Sequence, residues 1–215
     1  MQDPLQPQNL RHQNLRLFLA LIPPPGVQDY ANAIKQQFWE EYASQKAFSS
    51  PPHITLYPPF NWNAINMAQL TAKLIDFAHD RAPLPVTLSG FGAFPPRVIY
   101  INVQRTIELL DVHSDLLAYL ALHCDLVHPQ ATSRPFTPHM TVAFRDLTLP
   151  NFQRAWPKFQ TQALRIDNQE MDQFTFMADR LTLLQHDGQQ WQIHQEFTFQ
   201  THNQFNNLRN RSPEL

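Results

Sequence analysis

Two segments of this 215-residue chain share one pattern: Pro52-His53-Ile54-Thr55-Leu56 and Pro138-His139-Met140-Thr141-Val142. In each, a proline leads into a histidine and a threonine that stand two apart inside an apolar run. On a β-strand, side chains at i and i+2 share a face, about 7 Å apart. Each segment therefore presents one proton carrier beside one hydroxyl donor. Two such strands facing each other would offer a phosphate group two imidazoles and two hydroxyls, the equipment for acid–base chemistry at phosphorus. Chance accounts poorly for the pair. With 10 histidines in the chain, about half a His-x-Thr triplet is expected, yet two copies with the proline and aliphatic flanks are expected at well below ~0.001. The plain structural alternative is a pair of strand ends with half-buried histidines and β-favouring threonines.

Residues around the motifs extend the candidate list. Arg134 lies five residues before His139 and Arg145 six after it, and a guanidinium there could hold a terminal phosphate or stack on a base. Tyr57, Phe60, Phe136 and Phe144 flank the motifs, and stacking of a base on such a ring is worth about 1–3 kcal/mol. Core packing explains most aromatics equally well, so one or two at most should touch a substrate. Other chemistries lack support. Gly90-Phe91-Gly92 has no third glycine and runs into Pro95-Pro96 instead of a helix, so it is no dinucleotide fingerprint. Neither a Gly-Lys-Ser/Thr phosphate loop nor a Gly-x-Ser-x-Gly elbow occurs. His123, Cys124 and His128 form the best metal-like cluster, but histidines five apart do not share a helix face. No metal and no cofactor are expected. His79, His113, His186 and His194 have no partner visible in sequence and read as ordinary surface or half-buried side chains.

The net charge of −2 and pI near 6.5 argue against a broad grip on long duplex nucleic acid. Any nucleic-acid substrate should be small, or held locally by a few arginines. The single cysteine, Cys124, excludes an intramolecular disulfide and suits a reducing compartment. The apolar stretch Leu15 to Ile22 is too short to span a bilayer and is followed by Pro23-Pro24-Pro25 without a small-x-small cleavage site. It reads as a strand, and a cytoplasmic protein with no membrane contact is expected.

The elements that must position the motifs occur twice in the same order. Leu15 to Leu21 is a strand candidate; Pro25, Gly26 and Asp29 then open a helix carrying Ile34, Phe38 and Tyr42 at helical spacing. The first His-Thr strand follows. Val98 to Val103 is a second strand, followed by a helix with Ile107, Leu110, Leu117 and Leu120 as its apolar stripe, and then the second His-Thr strand. His53 stands thirty-eight residues after Leu15, and His139 forty-one after Val98. Near-equal spacing indicates an internal duplication, one motif from each half. A further helix is expected over 65–79, and a weaker one over 151–159, where Pro157 intervenes. Phe174-Thr175-Phe176 and Leu181-Thr182-Leu183 alternate as strands do, and Asp187-Gly188 reads as a hairpin turn before Trp191. The fold class is α+β.

These residues resemble the 2H phosphoesterase superfamily, named for two His-x-Thr/Ser motifs. The segment from Arg134 to Ala143 is similar to the second motif of its 2′-5′ RNA ligase-like branch. Ser50 to Phe60 is similar to the first motif of bacterial members, and Gly90-Phe91-Gly92 with Val98 to Ile101 to the central strand pair. The resemblance covers roughly residues 15–199. It implies a bilobal, pseudo-twofold α+β fold of two mainly antiparallel sheets, with outer helices and a central groove. By the same resemblance His53 and His139 would be the catalytic acid/base pair, and Thr55 and Thr141 the phosphate-binding hydroxyls. Tyr57, Arg134, Phe136 and Arg145 are the possible substrate contacts. The branch often carries a basic residue just after Val142-Ala143, where this chain has Phe144. Arg145 comes one step later, which on a strand turns the charge to the opposite face.

The expected organisation is a loose N-terminus over 1–14, one bilobal domain over 15–202 and a loose tail over 203–215, with a monomer as the default. The expected function is metal-independent hydrolysis of 2′,3′-cyclic phosphate ends of RNA or nucleotides. The alternatives are reversible 2′-5′ ligation of RNA ends, a non-catalytic module binding nucleotides or RNA ends, and, on the loose tails alone, a structural partner protein.

Overall fold

The computed structural model describes residues 13–127, 135–167 and 169–200. Two four-stranded antiparallel sheets carry the fold. The first contains β1 (Asn14–Leu21), β2 (Ile54–Asn63), β9 (Arg180–His186) and β10 (Trp191–Thr198), in the order β10-β9-β1-β2. The second contains β3 (Leu84–Phe94), β4 (Val98–Val103), β5 (His139–Ala143) and β8 (Phe174–Ala178), in the order β5-β4-β3-β8. A short ribbon pairs β6 (Leu164–Ile166) with β7 (Gln169–Met171).

The duplication in the sequence is a duplication of topology. Helix α1 (Pro25–Tyr42) joins β1 to its antiparallel neighbour β2, and α3 (Ile107–Cys124) joins β4 to β5. Each His-Thr strand is thus an edge strand beside the strand that opened its half. Helix α2 (Met67–His79) follows β2, and α4 (Leu149–Phe159) follows β5. The halves interlock, because α1 packs against β5 and α3 against β2. One core cluster therefore contains residues of both sheets.

Local chemistry explains the elements. Leu17, Phe18, Leu19, Ala20 and Leu21 are all buried because β1 is covered on both faces: its odd residues enter the shared core, whereas Phe18 and Ala20 pack with Leu184 on the other side. Pro25 starts α1, where its missing N–H costs nothing, and Ala43 ends it at a left-handed φ of 52°. Thr106 caps α3 by accepting from the Leu109 N–H, and Thr148 caps α4 through the Asn151 N–H. Pro157 is tolerated inside α4 because it lies in the last turn. The Asp187-Gly188 turn joins β9 to β10, with Gly188 at φ 103° and the Asp187 carboxylate accepting from the N–H groups of Gln189 and Gln190.

The apolar stripe of α3 is rotated from its sequence-based placement. Leu109, Val112, Leu116 and Leu120 are buried, while Ile107 is 73% exposed. This helix is apolar around most of its circumference, so periodicity alone does not choose the buried face. No helix among the described residues is long and apolar enough to cross a membrane.

Candidate active site

Both histidines are set by the same local device. The Nδ1 of His53 lies 2.7 Å from the Pro51 carbonyl, and the Nδ1 of His139 lies 2.7 Å from that of Thr137. A carbonyl can only accept, so Nδ1 carries the proton in each neutral ring, and Nε2 is left as a free base. The proline ahead of each histidine explains why that carbonyl is in place. Pro52 and Pro138 are buried, and a proline holds the residue before it extended.

A second shared device lies just beyond the threonines. Ala20 pairs with Thr55 and Leu19 with Tyr57, so Leu56 is an extra residue; Tyr100 pairs with Thr141 and Ile99 with Ala143, so Val142 is extra. Each motif thus carries a bulge at the same place. A bulge ends strict alternation and re-aims the side chains that follow.

The threonines meet in a pocket of about 290 Å³ between the sheets. Its wall includes His53 just before β2, Thr55 of β2, Thr141 of β5, and Phe144 and Arg145 just past β5. Arg16 and Phe18 of β1 contribute, with Lys46, Ser49 and Ser50 from the one-turn helix at Lys46–Ser49 and its end. His186, Gln189 and Trp191 close it from β9–β10. Among the described residues, the wall contains no carboxylate. His139 borders this wall rather than forming part of it: its ring packs 5.1 Å from both Phe94 and Tyr100, on the strand face that Thr141 shares. It is still close enough to His53 for its charge to disfavour a second one there.

The two imidazoles differ in electrostatics. His53 is pushed down from 6.5 to about 4, chiefly by burial, against the opposing bond to Pro51, with Lys35 and His139 adding smaller downward effects. His139 is also lowered by burial, opposed by its bond to Thr137. Lys35 of α1 is 1% exposed, its Nζ donates to the Ser50 carbonyl at 2.9 Å, and burial lowers it to about 8. No carboxylate pairs with it among the described residues. Sequence reasoning missed Lys35, and equally Arg16, Lys46, His186 and Trp191. A lysine within the apolar face of α1, one residue after Ile34 and three before Phe38, was the available signal.

The flanking candidates fare unequally. Arg145 does line the pocket although it stands one residue past the position of Phe144, because β5 ends at Ala143 and Arg145 sits at φ 60°. The Asp146 N–H bonds back to the Phe144 carbonyl at 2.7 Å, closing a γ-turn with Arg145 at its centre. Tyr57 instead belongs to the core at 2% exposure, since the bulge at Leu56 turns it away from the face of Thr55. Phe136 stacks face to face on His113 of α3, with ring centroids 3.7 Å apart, and does not line the pocket. Arg134 and His128 lie outside the described residues. His186, read from sequence as an ordinary side chain, stands in the pocket wall and packs 5.0 Å from Trp191.

A pair of antiparallel sheets, each lending a His-x-Thr strand to one groove, defines the class of fold. Two solved structures share it. One is LigT of Escherichia coli complexed with 3′-AMP, with a TM-score of 0.60 and 15% identity, covering 88% of this chain and 100% of that one. The other is TT0787 of Thermus thermophilus, with a TM-score of 0.57 and 19% identity, covering 86% and 97%. The chain belongs to the 2′-5′ RNA ligase superfamily, whose family model matches residues 23–190. Relatives include chains of Geobacillus thermodenitrificans and Oceanobacillus iheyensis, each named as a "Putative phosphoesterase". The first is 27% identical over 73% of this chain and 83% of its own length, the second 26% over 83% and 95%.

Proposed function

We propose that this protein hydrolyses 2′,3′-cyclic phosphate ends of nucleotides or RNA by two-histidine acid–base catalysis. The observation that carries this reading is the matched pair of imidazoles, each holding its Nδ1 proton on a carbonyl so that Nε2 is the reactive atom. In this reading His53 is the base. Its depressed pKa keeps it neutral, and its Nε2 takes a proton from water as the water oxygen bonds to phosphorus. The bond from phosphorus to one ribose oxygen breaks, and His139, protonated at both nitrogens, delivers the Nε2 proton to that oxygen. Burial opposes that cationic form, and the Thr137 carbonyl that accepts from its Nδ1 supports it. Thr55 and Thr141, whose hydroxyls no protein group claims among the described residues, donate to the non-bridging oxygens as charge builds there. Acting as one unit in a single proton-transfer step, the pair accelerates the reaction about 10²–10⁴-fold, a barrier lower by roughly 3–5 kcal/mol.

The names of the phosphoesterase relatives support the reaction class. The 3′-AMP bound to LigT is a ribose phosphomonoester of the type this hydrolysis releases. The family name favours a second reading, in which a ribose hydroxyl replaces water and the groove joins RNA ends through a 2′-5′ bond. Both are tested by incubating the purified protein in EDTA with a 2′,3′-cyclic mononucleotide, and separately with RNA halves bearing cyclic phosphate and 5′-hydroxyl ends. Release of a single monophosphate isomer supports hydrolysis and shows which ester oxygen leaves. A joined product without release supports ligation. Inertness toward both removes the catalytic reading.

A further inference from the structure

The pocket carries more positive charge than one cyclic phosphodiester, with its single negative charge, requires. Arg16, Lys46 and Arg145 all line it, and among the described residues none is ion-paired and no carboxylate shares the wall. In a chain of net charge −2 this is a local excess aimed at an anion.

The three cations form two groups. Asp146 holds Lys46 and Arg145 together: its carboxylate accepts from the Lys46 N–H at 2.9 Å, and Arg145 is its chain neighbour in the γ-turn. That group adjoins Thr141 and the proposed reaction centre. Arg16 stands apart. Its guanidinium lies 5.3 Å from the centre of the Trp191 ring, Trp191 packs edge-on to Phe18 at 4.6 Å, and Phe18 lies 4.9 Å from the His53 ring. Arg16 is thus held on the aromatic side of the pocket with Trp191 and Phe18, while Lys46 and Arg145 stand with Asp146, so the two groups can serve two phosphates. A guanidinium seated on an indole face keeps its in-plane N–H donors free for a phosphate. A second depression, sharing Ser50 and Trp191 with the pocket, opens beside it and is lined further by Asn32, Phe48 and Gln192, with no charged residue among the described ones. A bound molecule therefore has room to continue past Trp191.

We propose that Arg16, seated on Trp191, binds a second phosphate of the substrate, the one on the 5′ side of the ribose bearing the cyclic phosphate. The assignment of the cyclic phosphate to the His-Thr centre rests on the function proposed above. A terminal 5′-phosphate and an internucleotide phosphodiester present the same non-bridging oxygens, so either source satisfies the site.

Calorimetric titration of the whole protein separates these cases without requiring turnover. The probes are adenosine 3′-monophosphate, adenosine 3′,5′-bisphosphate and a 3′-phosphorylated adenosine dinucleotide. The second phosphate should tighten binding about tenfold or more, as expected for a charge-assisted guanidinium contact. Arg16→Gln, a change at an exposed position of β1, should bring the affinity ratio close to one. A gain with the bisphosphate shows that a terminal phosphate suffices; a gain with the dinucleotide alone assigns the site to an internucleotide phosphate. Equal affinities for all three, no binding of any, or a gain that survives Arg16→Gln would overturn the proposal. Failure to turn over a cyclic nucleotide would count against the proposed hydrolysis and leave a measured second-phosphate site standing.

Discussion

Lys35 buries a cationic amine near His53 with the Ser50 carbonyl as its acceptor, an arrangement that costs stability and whose charge acts on the imidazole. Groups of several elements face His53: Lys35 from α1, Lys46 from the one-turn helix, His139 from β5, Arg145 beyond it, Arg16 from β1 and His186 from β9. Lys35 and His139 lower His53, although burial does most of the work. Because the proposed base is pushed to about 4 and the proposed acid His139 below its ordinary 6.5, kcat/KM should peak at acidic pH, between these values. Lys35→Met should move the acidic limb upward, since the lost cation lets His53 keep its proton to higher pH, whereas Lys35→Arg should leave that limb in place. Two pH profiles on one cyclic nucleotide decide it, and a uniform loss of rate with an unchanged profile would show Lys35 to be merely structural. The paired histidines and threonines were legible because a strand fixes i and i+2 together. Lys35 was not, because its importance comes from Ser50 and His53, which the chain brings to it only after α1 ends.

Elements place these side chains by departing from regularity. Two placements turn on a local break: the bulge at Leu56 turns Tyr57, a possible substrate contact, into the core, and the γ-turn after β5 carries Arg145 into the pocket although it stands one residue past the position of Phe144. Breaks of this kind are set by tertiary contacts, so the pattern of residues does not announce them. Asp146 anchors one of them. It accepts from the Ser44 hydroxyl and the Gln45 and Lys46 N–H groups at 2.8–2.9 Å, tying the loop of one half to the end of β5 in the other. Asp146→Ala should cost about 1–3 kcal/mol in stability, and KM should rise more than kcat falls as Lys46 and Arg145 lose their positions. Denaturant unfolding and steady-state kinetics on the same preparation check both parts. Gly92 serves the other histidine: a Cβ there would run into the ring of Tyr100, its cross-strand neighbour, which packs on His139. Gly92→Ala should therefore displace the ring and lower activity. Adding Tyr100→Leu should relieve the stability loss, while Tyr100→Phe should not, because Phe keeps most of the atoms in collision.

At the scale of the whole molecule, the repeated order strand, helix, His-Thr strand was readable from spacing, and the matching sheet orders follow it. What spacing could not show is that α1 supports the motif strand of the second half and α3 that of the first. Neither half can bury its helix alone, so the two motifs share one core and should be lost together on unfolding. Stability should depend on acid in a defined direction. His53 and His113 are each pushed by burial to about 4. Between that value and 6.5 the unfolded chain binds more protons, so stability is retained above 6.5 and falls as pH drops toward 4, by about 1–2 kcal/mol for each half-buried ring after solvent screening. Urea midpoints from pH 4 to 7 should show this slope, and His113→Leu should flatten it. The central claim is that the two halves contribute one reaction centre. The measurement that tests it most directly is kcat for a 2′,3′-cyclic mononucleotide in His53→Ala, His139→Ala and the double variant. Two imidazoles acting in one proton-transfer step predict that each single change costs about 10²–10⁴-fold and that the double change costs little more than either. A dispensable histidine, or two losses that multiply in full, would contradict the account.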